Sequence, residues 1–345
     1  MKIAVISAQV FVLPPAGYSG LEFLAWQIAK GLGAKGHEVT VIAPDGSTCP
    51  NATVFPSGPP GWDEKRAYEK YWKELLKVDC VLDHSWLKFA YLLKQEGRLK
   101  APVLGTCHAP VHTMYQTLPP VEKPCFVCIS DDQKSHFEGL FGKPARRVYN
   151  GVDGDVYRPL GIPRTKRFLF LARFSTIKAP DLAIEACKRA GVGLDLIGDT
   201  SITNEPEYLQ KCMAMADGKQ IRIVGPATRG NCVWWYSQAH AFLHLCPNFR
   251  EPFGLAPVEA MLTGLPVVAW RYGALSETVK NGTTGVLVTS MDEAVDAVRM
   301  VANDPQWSSD EARNDCREWA SQFSVENMVA GYESLCQEAV TTGGW

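Results

Sequence analysis

Two glutamates eight positions apart, Glu251 and Glu259, sit in the stretch PNFREPFGLAPVEAMLTGLPVVAW, Pro247 to Trp270. A carboxylate accepts hydrogen bonds in pairs, so two at a fixed separation are suited to gripping vicinal diols. Between them, Phe253, Gly254 and Leu255 lead into a helix, whose first amides open toward an anion or a set of hydroxyls. Pro257 fits the first helical turn, where a missing N–H costs nothing. Gly264 fits a left-handed helix end, and Pro266 keeps the helix from resuming. Val267, Val268 and Ala269 then read as a short buried strand. Without context, Glu251 would be a capping residue and Glu259 a solvated helix residue.

The context is the whole string. EPFGLAPVEAMLTGLPVVA resembles, nearly letter for letter, the E-x7-E signature of glycosyltransferase family 4, retaining enzymes of GT-B architecture. The resemblance implies a nucleotide-sugar donor on the second half of the chain. Glu259 would hold the ribose, and Glu251 with the Phe253, Gly254 and Leu255 amides the sugar. Arg173 and Lys178 match the family's diphosphate-binding pair in type and spacing; Ala172 and Ala179 stand where the family has glycines. Two cations there suit a leaving diphosphate that gains negative charge as the glycosidic bond breaks. The base would rest near Gly225 and Pro226.

On the first half, the family's Gly-Gly pair reads Ser19-Gly20, so Gly20 alone carries over as a donor contact. Tyr18 and Glu22 fall where the acceptor is met; Glu22 is equally an ordinary first-turn acid favoured by the helix dipole. His108 follows a strand, in the position of a family histidine that reaches the transferring sugar. The carboxyl ends of strands are where α/β folds place ligands. His84 and His112 read as structural. No residue stands out as a covalent nucleophile, and the resemblance implies front-face substitution, in which the departing phosphate oxygen helps deprotonate the acceptor. The expected reaction moves a hexose, UDP-glucose being the favoured donor, to a small or glycan acceptor without metal or other cofactor. A non-catalytic nucleotide-sugar-binding protein and a GT-B epimerase are the rival readings.

The elements that must position these residues alternate as strand and helix twice over. KIAVISA is a buried strand; Leu21, Leu24, Ile28 and Leu32 mark a helix; HEVTVIAP is the next strand. Gly31, Gly33 and Gly36 spell G-x-G-x-x-G but close a helix rather than open one, so no dinucleotide fingerprint is read here. Residues 47–62 read as loop, and Asp63 to Lys77 as an amphipathic helix. Cys125 and Cys128 form C-x-x-C within a strand, where positions three apart point to opposite faces, so they read as core cysteines. Asp153 and Asp155 form a D-x-D that reads as a turn. RFLFLARF restarts the pattern in the second half. The fold class expected is α/β, GT-B: two Rossmann-like doubly wound domains facing a cleft. Their expected limits are 1–155 and 156–322, with a helix at 323–345 returning to the first domain.

With 345 residues, the chain is comfortable for two domains. Lys and Arg number 35 against 37 Asp and Glu, which argues for no nucleic-acid partner and against a charge-driven membrane contact. Eleven scattered cysteines fit a reducing compartment, so a cytoplasmic location is expected. Oligomeric state is not legible.

Overall fold

The computed structural model describes residues 1–17, 19–116, 119, 121–200 and 205–345. The chain divides into two compact units: residues 1–151 with 325–345, and residues 152–324. The joints lie at 151/152 and 324/325 because Val152 belongs with the second unit. It donates its amide to Phe323 O at 2.8 Å and bridges Ser324.

Unit 1 runs β1 (Lys2–Ile6), α1 (Gly20–Ala34), β2 (Glu38–Ala43), β3 (Thr53–Pro56), α2 (Glu64–Leu75), β4 (Cys80–Asp83), α3 (Ala90–Gln95), β5 (Val103–Thr106), α4 (Val111–Met114), β6 (Phe126–Cys128), α5 (Asp131–Phe141) and β7 (Arg146–Arg147). Its parallel sheet has the order β3-β2-β1-β4-β5-β6-β7, so the winding reverses between β1 and β4. Buried on both faces, the central strands are continuous apolar runs. β3 lies inside the stretch expected to be loop. It is a four-residue edge strand, half exposed and ending at Pro56, so it carries neither an apolar run nor alternation to announce it.

Unit 2 runs β8 (Phe168–Leu171), α6 (Pro180–Ala190), β9 (Leu194–Ile197), α7 (Pro206–Met215), β10 (Ile221–Gly225), α8 (Arg229–Gln238), β11 (Ala241–His244), α9 (Leu255–Leu262), β12 (Val267–Trp270), α10 (Leu275–Thr278), β13 (Gly285–Val288), α11 (Met291–Asn303) and α12 (Asp310–Ser321). Its sheet is parallel with the order β10-β9-β8-β11-β12-β13, reversing between β8 and β11. Phe168, Phe170, Leu194, Leu243 and Val268 form its core with Ile184 and Val298 from the helices.

The last helix, α13 (Val325–Thr342), packs in unit 1 against α1. Gly31 makes that approach possible, since a Cβ there would meet Val329 Cγ2 at 2.5 Å. Ion pairs fasten α13: Glu333 with Lys35 at 2.7 Å and Glu338 with Arg146 at 2.6 Å. All eleven cysteines are buried and unbridged, Cys125 and Cys128 among them. Asp153 Oδ1 accepts from the Asp155 and Val156 amides, and Asp155 pairs with Arg158, so the D-x-D closes a turn. Among the described residues, no helix is long and apolar enough to cross a membrane.

Candidate active site

The winding reversal of unit 2 opens a crevice at the carboxyl ends of β8 and β11, where open α/β sheets bind ligands. The segment after β8 carries Arg173 and Lys178; the segment after β11 carries Glu251. Lys178 Nζ lies 2.5 Å from Glu251 Oε2, and His244 Nε2 lies 2.9 Å from the same oxygen. Glu251 and His244 are both buried. Burial alone would raise the Glu251 pKa, but Lys178 and His244 outweigh it and bring it down to about 2. Burial would likewise lower His244; Cys246 and Glu251 outweigh it and raise it to about 9. Arg173, half-buried, has no carboxylate partner among the described residues. Lys178 and a protonated His244 thus face one carboxylate, and Arg173 and Arg250 lie on the same two segments, so positive charge exceeds negative there, a surplus that suits a diphosphate.

Local backbone explains the fixity. Ala179, just past Lys178, sits at φ 46° and starts α6, so the chain turns sharply where the lysine must point back. Glu251 is clamped by an isolated bridge to Gly273 and by Ala274 N donating to Glu251 O at 2.9 Å. Gly273 has φ 66°, and a Cβ there would lie 2.4 Å from Glu251 O, so only glycine fits.

Gly254 is the N-cap of α9 at φ 87°, with Phe253 buried behind it against Phe323. The first amides of α9, beginning at Leu255, have no intrahelical acceptors and face outward from the helix start. Glu259 is buried within α9 rather than solvated, and Tyr236 Oη donates to its Oε2 at 3.0 Å. At the end of β10, Gly225 (φ 102°) already uses its carbonyl to accept from Gly198 N at 2.9 Å, and Pro226 after it is exposed. Elsewhere in unit 2 a cavity is lined by Arg164, Arg313 and Arg317, but Arg164 is spent on the carbonyls of Ala239 and Thr263.

In unit 1, Gly20 begins α1 and Glu22 is buried in its first turn. Ser19 Oγ donates to the Glu22 carboxylate, and burial raises that carboxyl's pKa above the usual range despite this bond. Tyr18 lies outside the described residues. His108 follows β5, and its ring meets His84 from the end of β4. Sequence reasoning overlooked His244, Tyr236 and Gly273 and set His84 aside. His244 did leave a signal: it is the one polar residue closing the buried strand AFLH.

Comparison with known proteins agrees with this architecture. The family described as "Glycosyl transferases group 1" matches residues 158–323, and "Glycosyltransferase Family 4" matches residues 18–156. The chain is a glycosyltransferase of family 4 type, with the GT-B fold. It is 26% identical over 275 residues to a D-inositol 3-phosphate glycosyltransferase from Frankia alni, covering 67% of each chain. A D-inositol 3-phosphate glycosyltransferase from Mycolicibacterium paratuberculosis is 26% identical over 303 residues, 76% of this chain and 68% of the relative. Among solved structures, sucrose-phosphate synthase from Thermosynechococcus elongatus superposes with TM-score 0.81 at 19% identity, covering 99% of this chain and 100% of that one. Anabaena Alr3699/HepE in complex with UDP and glucose gives TM-score 0.76 at 19% identity, over 97% and 99% of the chains.

Proposed function

We propose that this glycosyltransferase moves a hexose from a nucleoside diphosphate donor, UDP-glucose in first place, to an acceptor hydroxyl with retention of configuration. The observation that carries the donor reading is the cation surplus around Glu251: Lys178 and His244 on one carboxylate oxygen, with Arg173, which has no carboxylate partner among the described residues, on the same segment as Lys178. Lys178 and Arg173 take the diphosphate and stabilise the charge it gains on leaving. This service needs no divalent metal. Glu251 and the amides from Phe253 to Leu255 hold the sugar, and Glu259, pre-set by Tyr236, holds the ribose. Gly20 and His108 serve the donor side of unit 1, and Tyr18 and Glu22 the acceptor side. The uridine preference is supported by the UDP and UDP-glucose complexes of Alr3699/HepE. A small polyol phosphate is a reasonable first acceptor to supply, given the inositol phosphate enzymes among the relatives. A cytoplasmic site of action fits eleven unbridged cysteines.

Ligand-dependent unfolding tests the donor base. A ligand that binds only the folded state adds about 2.7 kcal/mol at a hundredfold excess over Kd. UDP is expected to raise the melting temperature more than GDP or ADP at equal concentration. A larger shift with GDP or ADP would overturn the uridine assignment, and no shift with any of the three would overturn the donor site.

A further inference from the structure

Unit 2 holds a second cavity, at the end of its sheet opposite the donor crevice. The segment 159–164 leads into β8, Ser237 lies just ahead of β11, and Thr263 with Gly264 lie just ahead of β12. These lining segments therefore gather at the amino ends of the strands, and α12 closes the side. The cavity measures about 560 Å³, within the roughly 300–1,000 Å³ of small-molecule pockets.

Three guanidinium groups meet one carboxylate there. Arg313 and Arg317 stand four residues apart on α12, and Arg164 comes from the segment before β8. Like charges at that helical spacing share a face and repel. Asp310 is the acid of the lining, and its hold is loose: its Oδ1 lies 3.5 Å from Arg313 Nη1 and its side chain is 95% exposed. A pair of that kind neutralises little. Arg317 has no hydrogen bond or ion pair among the described residues. Arg164 donates to Ala239 O at 3.0 Å and to Thr263 O at 2.6 Å, but neutral carbonyls remove none of its charge. Burial, with the Arg313 charge added, brings its pKa down to about 10, so it stays positive at neutral pH.

The cationic face is built by packing. Gly264, at φ 77°, ends α9, and a Cβ there would lie 3.2 Å from Arg313 Cβ, so glycine lets α12 settle with its arginines over that helix end. Pro159, Ile162 and Pro163 line the cavity beside them and give it an apolar wall. Three cations less one carboxylate leave a charge of +2. A phosphate monoester carries about −1.5 to −2 near neutral pH, and guanidinium groups take its oxygens in pairs. The apolar wall suits a carbon body on that phosphate. Nothing in the transfer chemistry above uses these residues.

We infer that this cavity is a binding site for a phosphate monoester with a partly apolar body, held by Arg313, Arg317 and the charge of Arg164, and separate from the donor crevice.

Titration calorimetry and thermal melts of the full chain test it, with phenyl phosphate and inorganic phosphate as probes and phenol and sodium chloride as controls, all at one ionic strength. Arg317→Gln and the double change Arg313→Gln with Arg317→Gln leave the donor crevice intact. The difference from the wild type therefore isolates the cavity from any phosphate taken by Arg173 and Lys178. Phenyl phosphate should raise the wild-type melting temperature more than inorganic phosphate does, and phenol and chloride should leave it unchanged. Its Kd should weaken about tenfold in Arg317→Gln, the worth of a charged hydrogen bond, and further in the double variant. In chloride alone Arg317→Gln should melt at or slightly above the wild type, because a like-charge neighbour is gone. The donor KM and kcat should not move. Should the double variant fail to fold, Arg317→Gln, at an exposed position, still decides. Phenyl phosphate binding equally to wild type and Arg317→Gln, or not at all, overturns the site. Inorganic phosphate binding as tightly as phenyl phosphate, or phenol giving the same shift, overturns the monoester assignment.

Discussion

Lys178→Met is expected to cost on the order of a hundredfold to a thousandfold in kcat, the range seen when a preorganised charge-stabilising donor is removed from a transition state. Lys178 is placed by the sharp turn at Ala179, and its ammonium lies on the same carboxylate oxygen that His244 holds. Methionine keeps most of the side-chain volume and removes only the charge. The protein should remain folded, because Glu251 keeps its His244 contact. The stability loss should fall below the roughly 3–5 kcal/mol typical of a buried ion left without any partner. Steady-state kinetics with varied donor, alongside thermal melts, measures both. A folded Lys178→Met protein with near-normal kcat would remove the lysine from the chemistry.

Glu251 and Glu259 are expected to fail differently. In the proposed role Glu259 holds the ribose, a part of the donor that does not change during reaction, so Glu259→Ala should mainly raise the donor KM. In its proposed role Glu251 faces the sugar as positive charge develops there, so Glu251→Gln should lower kcat on the order of a hundredfold with less effect on KM. Equal effects on KM alone from both changes would refute these roles. Stability adds a second readout. The folded-state pKa of Glu251 lies near 2, below its ordinary value of 4.5, so its contribution is present above 4.5 and drains away as pH falls toward 2. His244, raised to about 9, has the opposite sign: its contribution is full below 6.5 and is lost as pH rises through 9. Melts of Glu251→Gln should lose the acid-side dependence and only weaken the alkaline one, because Cys246 still acts on His244.

The helix between the two glutamates was legible because its punctuation is local. Pro257, Gly264 and Pro266 mark its first turn and its end, and α9 spans Leu255–Leu262. The alternation of strand and helix was equally local, which is why both doubly wound sheets could be read. β3 was not, since an edge strand of four half-exposed residues presents no pattern to detect. The electrostatics of the site were hidden for a different reason. Lys178 and Glu251 are 73 residues apart, and only the parallel placement of β8 beside β11 brings them together. His84 and His108 are likewise partners across two strands and 24 residues, so each looks solitary in the sequence. Sequence reveals which residue types are on hand; the winding reversal decides which of them meet.

Retaining, metal-independent transfer from a nucleotide sugar, as proposed, is tested most directly by the configuration of the product. UDP-glucose labelled at C1 would be incubated with the enzyme in EDTA, with D-inositol 3-phosphate and related polyols supplied as acceptors. Carbon and proton NMR would then follow the anomeric centre. UDP should appear together with a glycoside whose anomeric carbon keeps the α configuration of the donor. A β-linked product, or transfer lost in EDTA and restored by manganese, would contradict it.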